Sequence, residues 1–152
     1  RVVSFVWHSW AAPKVAPLED FYPGDEYVDW VGISIFQQLY PWANSNDTSV
    51  NHDFAGGTLE QVQEVLEFAK DHDKPVMIAE STPFGGMAFE NQPPPEVDFD
   101  WKTTKDNVTI EKDIWDLWFQ PTLDLIEEYD IGMWSYINCD WNSQSMWAGV
   151  GF

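Results

Sequence analysis

Four short apolar runs, each of strand length, constrain this chain more than any other feature. They are Val2 to Trp7, Val28 to Phe36, Pro75 to Ala79 and Ile131 to Ile137. Each is rich in β-branched or aromatic residues and reads as a strand. The third, Pro-Val-Met-Ile-Ala, is nearly all apolar, as suits a parallel strand covered on both faces. Between the later runs the spacing becomes helical. Leu59, Val62, Leu66 and Ala69 predict one helix, with Thr58 and Gln61 fitting a capping box at its start. Lys70 and Lys74 suit the negative end of its dipole. A second helical region runs from about Ile110 to Tyr129, its apolar face formed by Ile114, Leu117, Trp118, Leu125 and Ile126. Pro121 has no N–H to donate, so it must kink or restart that helix. Each helix reaches the next strand through an acidic turn, Asp71-His72-Asp73 or Tyr129-Asp130.

The order β, loop, β, α, β, α, β predicts an α/β fold with a parallel sheet. A chain of 152 residues suits a small open sheet, whereas a complete (β/α)8 barrel needs about 250. The loops point toward the barrel. Phe36 leads into Gln37-Gln38-Leu39-Tyr40-Pro41-Trp42 and a polar stretch to Gly57, and Glu80 opens another long loop through Phe84-Gly85-Gly86. Long loops in compact domains are usually functional, and these follow the C-terminal ends of strands, the ligand face of barrels and open sheets alike.

Composition narrows the partners. The formal net charge is −19, from 26 acidic against 7 basic residues. Nucleic acid and anionic membrane surfaces require clustered Lys and Arg, so neither is an expected partner. No apolar run approaches the ~20 residues of a membrane span. Ten Trp suit a Trp-rich core and, alternatively, stacking on sugar rings. Cys139 stands alone, and His8, His52 and His72 show no ligand spacing, so no metal or cofactor is expected. The acidic loops carrying Asp47, Asp53, Asp98 and Asp100 read as solvated rather than as a calcium site. Asn46 and Asn107 begin Asn-x-Ser/Thr sequons and are glycosylation candidates if the protein is secreted. The sequence begins with Arg1 rather than Met, so the chain is expected to be a portion of a longer protein.

Glu80 is the sharpest chemical feature. It ends an apolar strand and opens a long loop, which places a carboxylate at the rim of the core; a loop cap or a lysine partner is the alternative reading. Trp7, His8 and Trp10 end the first run, Phe36 and Gln37 the second, and Asn138 and Trp141 the fourth, so all are candidates for lining the same cleft. For Trp7 the competing assignment is plain core, and Trp134, earlier in its strand, reads as core.

The segment Tyr22-Pro23-Gly24-Asp25-Glu26-Tyr27-Val28-Asp29-Trp30-Val31-Gly32 resembles the approach to strand six of glycoside hydrolase family 26, the β-mannanase family. Lys74-Pro75-Val76-Met77-Ile78-Ala79-Glu80 is similar to that family's strand seven, and Trp7-His8 and Trp134-Ser135-Tyr136 extend the likeness over nearly the whole chain. The resemblance implies a (β/α)8 TIM barrel of which residues 1–152 supply about the second half, strands five to eight. It implies retaining hydrolysis of a β-linked polysaccharide such as β-mannan or β-1,3-xylan, with Glu80 as nucleophile. The acid/base Glu would lie upstream of Arg1, about 5 Å from the nucleophile in the folded enzyme. The upstream half of the barrel, in the same chain or another, is then an obligatory partner, because a half-barrel exposes unpaired strand edges. Members of the family commonly carry Tyr near the position of Phe36, where its hydroxyl positions the nucleophile. Phe36 has none, and Gln37 is the candidate replacement donor.

Three readings follow. The first is a secreted, endo-acting β-glycanase. The second is an inactive glycosidase-like domain, a carbohydrate-binding or structural extracellular glycoprotein, which Phe36, the acidity and the sequons would suit. The third is a small open α/β domain unrelated to glycosidases.

Overall fold

The computed structural model describes residues 3–8, 16–39, 58–83 and 115–139. Trp10, Trp141, Asn46, Asn107 and the first part of the second predicted helix lie outside them. Among the described residues the apolar runs form four parallel strands in chain order: β1 (Val6–His8), β2 (Trp30–Ile35), β3 (Val76–Ser81) and β4 (Met133–Trp134). The expected α/β architecture with a parallel sheet is therefore present.

The strand limits differ from those of the apolar runs for local reasons. β1 starts late because Phe5 is engaged at the sheet entrance. Its carbonyl accepts from the N–H groups of Asp29 and Trp30, and its own N–H donates to the Asp29 carboxylate at 2.9 Å. β3 runs past Ala79 to take in Glu80 and Ser81. β4 is short as a ladder, yet the N–H groups of Gly132, Ser135 and Ile137 still donate to the carbonyls of Val76, Ile78 and Ser81.

Helix α1 (Leu59–Asp71) joins β2 to β3, and α2 (Gln120–Glu128) precedes β4. The capping box of α1 forms as expected: Gln61 N–H donates to Thr58 Oγ1, and Thr58 N–H donates to Gln61 Oε1 at 2.9 Å. Its Val62, Val65, Leu66 and Ala69 are fully buried, each large aliphatic side chain contributing about 1.5–3 kcal/mol. Ahead of α2 the chain makes a π turn over Trp115–Phe119. Pro121 cannot donate to the carbonyl four residues back, so the backbone widens there and restarts as an α-helix. Both helices end alike, with Asp73 (φ 51°) and Asp130 (φ 50°) in the left-handed region, where Asp is better tolerated than most side chains.

Both helices pack on one face of the sheet. Val31, Ile33 and Ile35 of β2 and Val76 and Ile78 of β3 form a single core with Val62, Val65, Leu66, Trp118 and Leu125. The other face carries Val6, His8, Gly32 and Ala79. A Cβ built on Gly32 would stand 3.1 Å from Val6 Cγ1, 3.3 Å from His8 Cβ and 3.4 Å from Ala79 Cβ, so these residues crowd together there. Val6 and Met133 are exposed, and no described helix covers that face.

Candidate active site

Glu80 reaches the open face through a break in strand register. Ile33 pairs with Ile78, but Ser34 pairs with Glu80, so β3 holds one residue more than β2 at that point. The other neighbour shows the same excess, since Ser135 and Ile137 bond to Ile78 and Ser81. In a regular strand Glu80 would share the phase of Val76 and Ile78 and point into the core. The bulge resets the phase, so that Val76, Ile78 and Ser81 are buried while Glu80 is exposed. Ser81 Oγ then takes the core side, accepting from Trp134 Nε1 at 2.8 Å and donating to the Ser135 carbonyl at 2.7 Å.

Three side chains from three strands meet at the C-terminal edge of the sheet. Ser34 Oγ lies 3.1 Å from Glu80 Oε2 and 2.8 Å from His8 Nε2. Ser34 is 1% exposed, so its hydroxyl has little solvent to turn to. The end of β2 is stitched in place by Gln38, which is fully buried. Gln38 Oε1 accepts from Phe36 N–H, and Gln38 Nε2 donates to the Ser34 carbonyl at 3.4 Å. Trp118 Nε1 donates to the Phe36 carbonyl, and Thr122 Oγ1 donates to the Trp118 carbonyl at 2.7 Å. Buried polar groups at this strand end are thus satisfied by side chains where the ladder stops.

The candidate residues separate on this frame. His8 and Glu80 come together through Ser34. Trp7, expected at the cleft, is a correction: it packs on the helix side, with its ring 5.1 Å from Tyr22 and 5.4 Å from Phe68. The reason is strand parity, since His8 and Trp7 must face opposite sides of β1. Phe36 is buried, with its backbone held as described. Gln37 opens a 3-10 turn over Gln37–Leu39, and its side chain lies outside the description. Asn138 is exposed and follows Ile137, past the last ladder contact with Ser81. Trp10 and Trp141 lie outside the described residues. Sequence reasoning missed Ser34 and Gln38. The available signal for Ser34 was its phase: with Gly32 it alternates against Val31, Ile33 and Ile35, one residue from the strand end.

A second polar cluster sits at the opposite, N-terminal edge. Asp25 Oδ1 accepts from Tyr22 OH at 2.9 Å and from His72 Nδ1 at 2.8 Å, and Lys74 Nζ donates to the Asp25 carbonyl at 2.8 Å. The hydrogen bonds from His72 and then Tyr22 hold the Asp25 carboxyl below its ordinary range. Burial, followed by the Asp25 bond, pushes the Tyr22 phenol up to about 12. Tyr22 and His72 also pack on Phe68, their rings 5.0 and 4.2 Å from it. Among the described residues no group of three or more His, Cys, Asp or Glu is placed to hold a metal ion. No described helix is long and apolar enough to cross a membrane.

Residues 1–114 match the family model described as glycosyl hydrolase family 26. The chain is 30% identical over 155 residues to a beta-1,3-xylanase, TXYA, of a Vibrio species. It is likewise 30% identical over 155 residues to a beta-1,3-xylanase of an Alcaligenes species. Each alignment covers 96% of this chain and 28% of the relative, so the chain spans under a third of the length of these curated relatives.

Proposed function

Because this chain belongs to glycosyl hydrolase family 26, we propose that the protein containing it is a retaining, endo-acting β-glycanase whose nucleophile is Glu80. One observation carries the reading: the Glu80 carboxylate is turned by a bulge onto the open face, at the C-terminal edge of a parallel sheet, with Oε2 held by Ser34 and no other hydrogen bond among the described residues. A carboxylate so presented has an oxygen free for an anomeric carbon. The general acid/base is a second carboxyl from outside this chain, about 5 Å away in the assembled site.

The sheet order and one-sided helices suit strands five to eight of a (β/α)8 barrel. The preceding half of the barrel then covers the face bearing Val6, His8 and Met133 and pairs the free edges of β1 and β4. The substrate is a β-linked polysaccharide. β-1,3-xylan is preferred over β-mannan because the relatives aligned over nearly the whole chain are named beta-1,3-xylanases. A polymer of that size is met outside the cell, which makes this a secreted enzyme.

The test uses the full-length parent, its Glu80→Ala variant and an aryl β-glycoside of 1,3-linked xylobiose. The variant should lose at least about 1,000-fold in rate. Azide should restore turnover and give a glycosyl azide of inverted anomeric configuration, since the small anion enters where the carboxylate stood. An active Glu80→Ala variant sinks the assignment. A folded parent that binds xylan and cuts neither polymer moves the protein to the carbohydrate-binding reading.

A further inference from the structure

We infer that His8 and Ser34 form a positioning relay that holds Oε2 of Glu80, leaves Oε1 to attack, and assists the departure of Glu80 in the second half of the reaction. The inference rests on the reading of Glu80 as nucleophile.

Proton accounting fixes the direction of the relay. An ionised carboxylate only accepts, and a serine hydroxyl has one proton. Ser34 therefore donates to Glu80 Oε2 at 3.1 Å, and its oxygen is left to accept from His8 Nε2 at 2.8 Å. His8 must carry a proton on Nε2, which both the Nε2–H tautomer and the imidazolium do, so the relay survives either charge state of the ring. Ser34 is held for this task by burial, by the Gln38 amide on its carbonyl and by the bulge that sets it opposite Glu80.

The hydrogen bond does not act equally on the two steps. In the first, Oε1 bonds to the anomeric carbon, the glycosidic C–O bond breaks and the leaving oxygen takes a proton from the acid/base carboxyl. Oε2 becomes the carbonyl of an ester, a weaker acceptor than a carboxylate. In the second, water bonds to the anomeric carbon, its proton passes to the acid/base carboxylate and the C–Oε1 bond breaks. Negative charge then returns to the Glu80 carboxylate, where Ser34 and behind it His8 receive it. A donor aimed at developing charge accelerates the step in which that charge appears. Loss of the hydroxyl should therefore slow breakdown of the glycosyl-enzyme more than its formation.

The experiment is pre-steady-state and steady-state kinetics of Ser34→Ala and Ser34→Thr in the full-length parent, on an aryl β-glycoside with a good leaving group. Ser34→Ala should lower kcat about 10- to 100-fold, the effect of one hydrogen bond to a charged group. KM should fall with it, and a burst of aryl alcohol should appear as the intermediate accumulates. Ser34→Thr keeps the hydroxyl and should return kcat to within about threefold of the parent. A fall in kcat with unchanged KM and no burst, or no change at all, overturns the relay. If Ser34→Ala does not fold, the exposed His8 decides: His8→Leu should show a smaller split of the same kind and His8→Gln should relieve it, whereas parental kinetics in His8→Leu overturn the proposal. Azide rescue of Glu80→Ala separates the two failures. Rescue together with parental behaviour of Ser34→Ala removes only the relay, and absence of rescue removes the nucleophile itself.

Discussion

At each edge of the sheet a carboxylate, a hydroxyl and an imidazole are joined by hydrogen bonds, and the two trios are wired differently. At the N-terminal edge Tyr22 and His72 both donate to the same oxygen of Asp25, while Lys74 ties down its backbone carbonyl. At the C-terminal edge His8 stands behind Ser34, and Ser34 alone among the described residues reaches Glu80. The first arrangement gathers two donors from separate segments onto one carboxylate oxygen and joins the approach to β2 to the end of α1. The second brings a single donor, Ser34, to one oxygen of Glu80, with His8 behind it. Like functional groups thus make a clasp in one place and a poised carboxylate in the other, and the difference lies in connectivity. Tyr22-Pro23-Gly24-Asp25, part of the segment that most resembles the family, builds the clasp rather than the candidate site.

Exchanging charge for amide at each carboxylate should separate the two edges most strongly. In the full-length parent, Glu80→Gln should lower polysaccharide hydrolysis by several orders of magnitude, whereas Asp25→Asn should leave it within about twofold, as measured by reducing-sugar release. Equal losses in the two variants would show that the edges are not separate in role. Removing the clasp hydroxyl should have a smaller effect and on a different quantity: Tyr22→Phe should lower unfolding stability by about 1 kcal/mol in urea titration, without the kcat–KM split expected at Ser34.

Stability at the clasp depends on pH from both sides. Asp25 is held below its ordinary range when folded, so its contribution is present above about pH 4 and lost as the pH falls through its folded value. Tyr22 is raised, so its contribution is present below about pH 10 and lost as the pH climbs toward about 12. Thermal melts across pH should therefore show a flatter acid limb in Asp25→Asn and a flatter alkaline limb in Tyr22→Phe. Limbs identical to the parent's would separate the clasp from stability. The smallest effect is expected at Asp73, beside the clasp and at φ 51°. Asp73→Gly should stabilise the protein by at most about 1 kcal/mol, because glycine enters the left-handed region without a Cβ penalty. A loss would mean that the Asp73 side chain holds the turn.

Sequence alone determined the alternation of strand and helix, the parallel sheet, the capping box at Thr58 and Gln61 and the break at Pro121. Each rests on spacing or backbone chemistry within a few residues, which the chain displays directly. Tertiary structure alone decided which face each strand-end residue takes. Trp7 reads equally as cleft or core until β1 has neighbours, and its packing on Tyr22 and Phe68 turns it to the helices. Glu80 reads as a strand end, yet regular alternation from Val76 and Ile78 would have buried it. Ala79 and Glu80 look like ordinary consecutive strand residues, and only pairing with β2 and β4 shows that one of them is in excess. Ser34 and Gln38 escaped notice for the same reason. A hydroxyl one strand from a histidine, 26 residues along the chain, and one strand on the other side from a carboxylate, 46 residues along, becomes a hydrogen-bonded link only when the sheet sets their register.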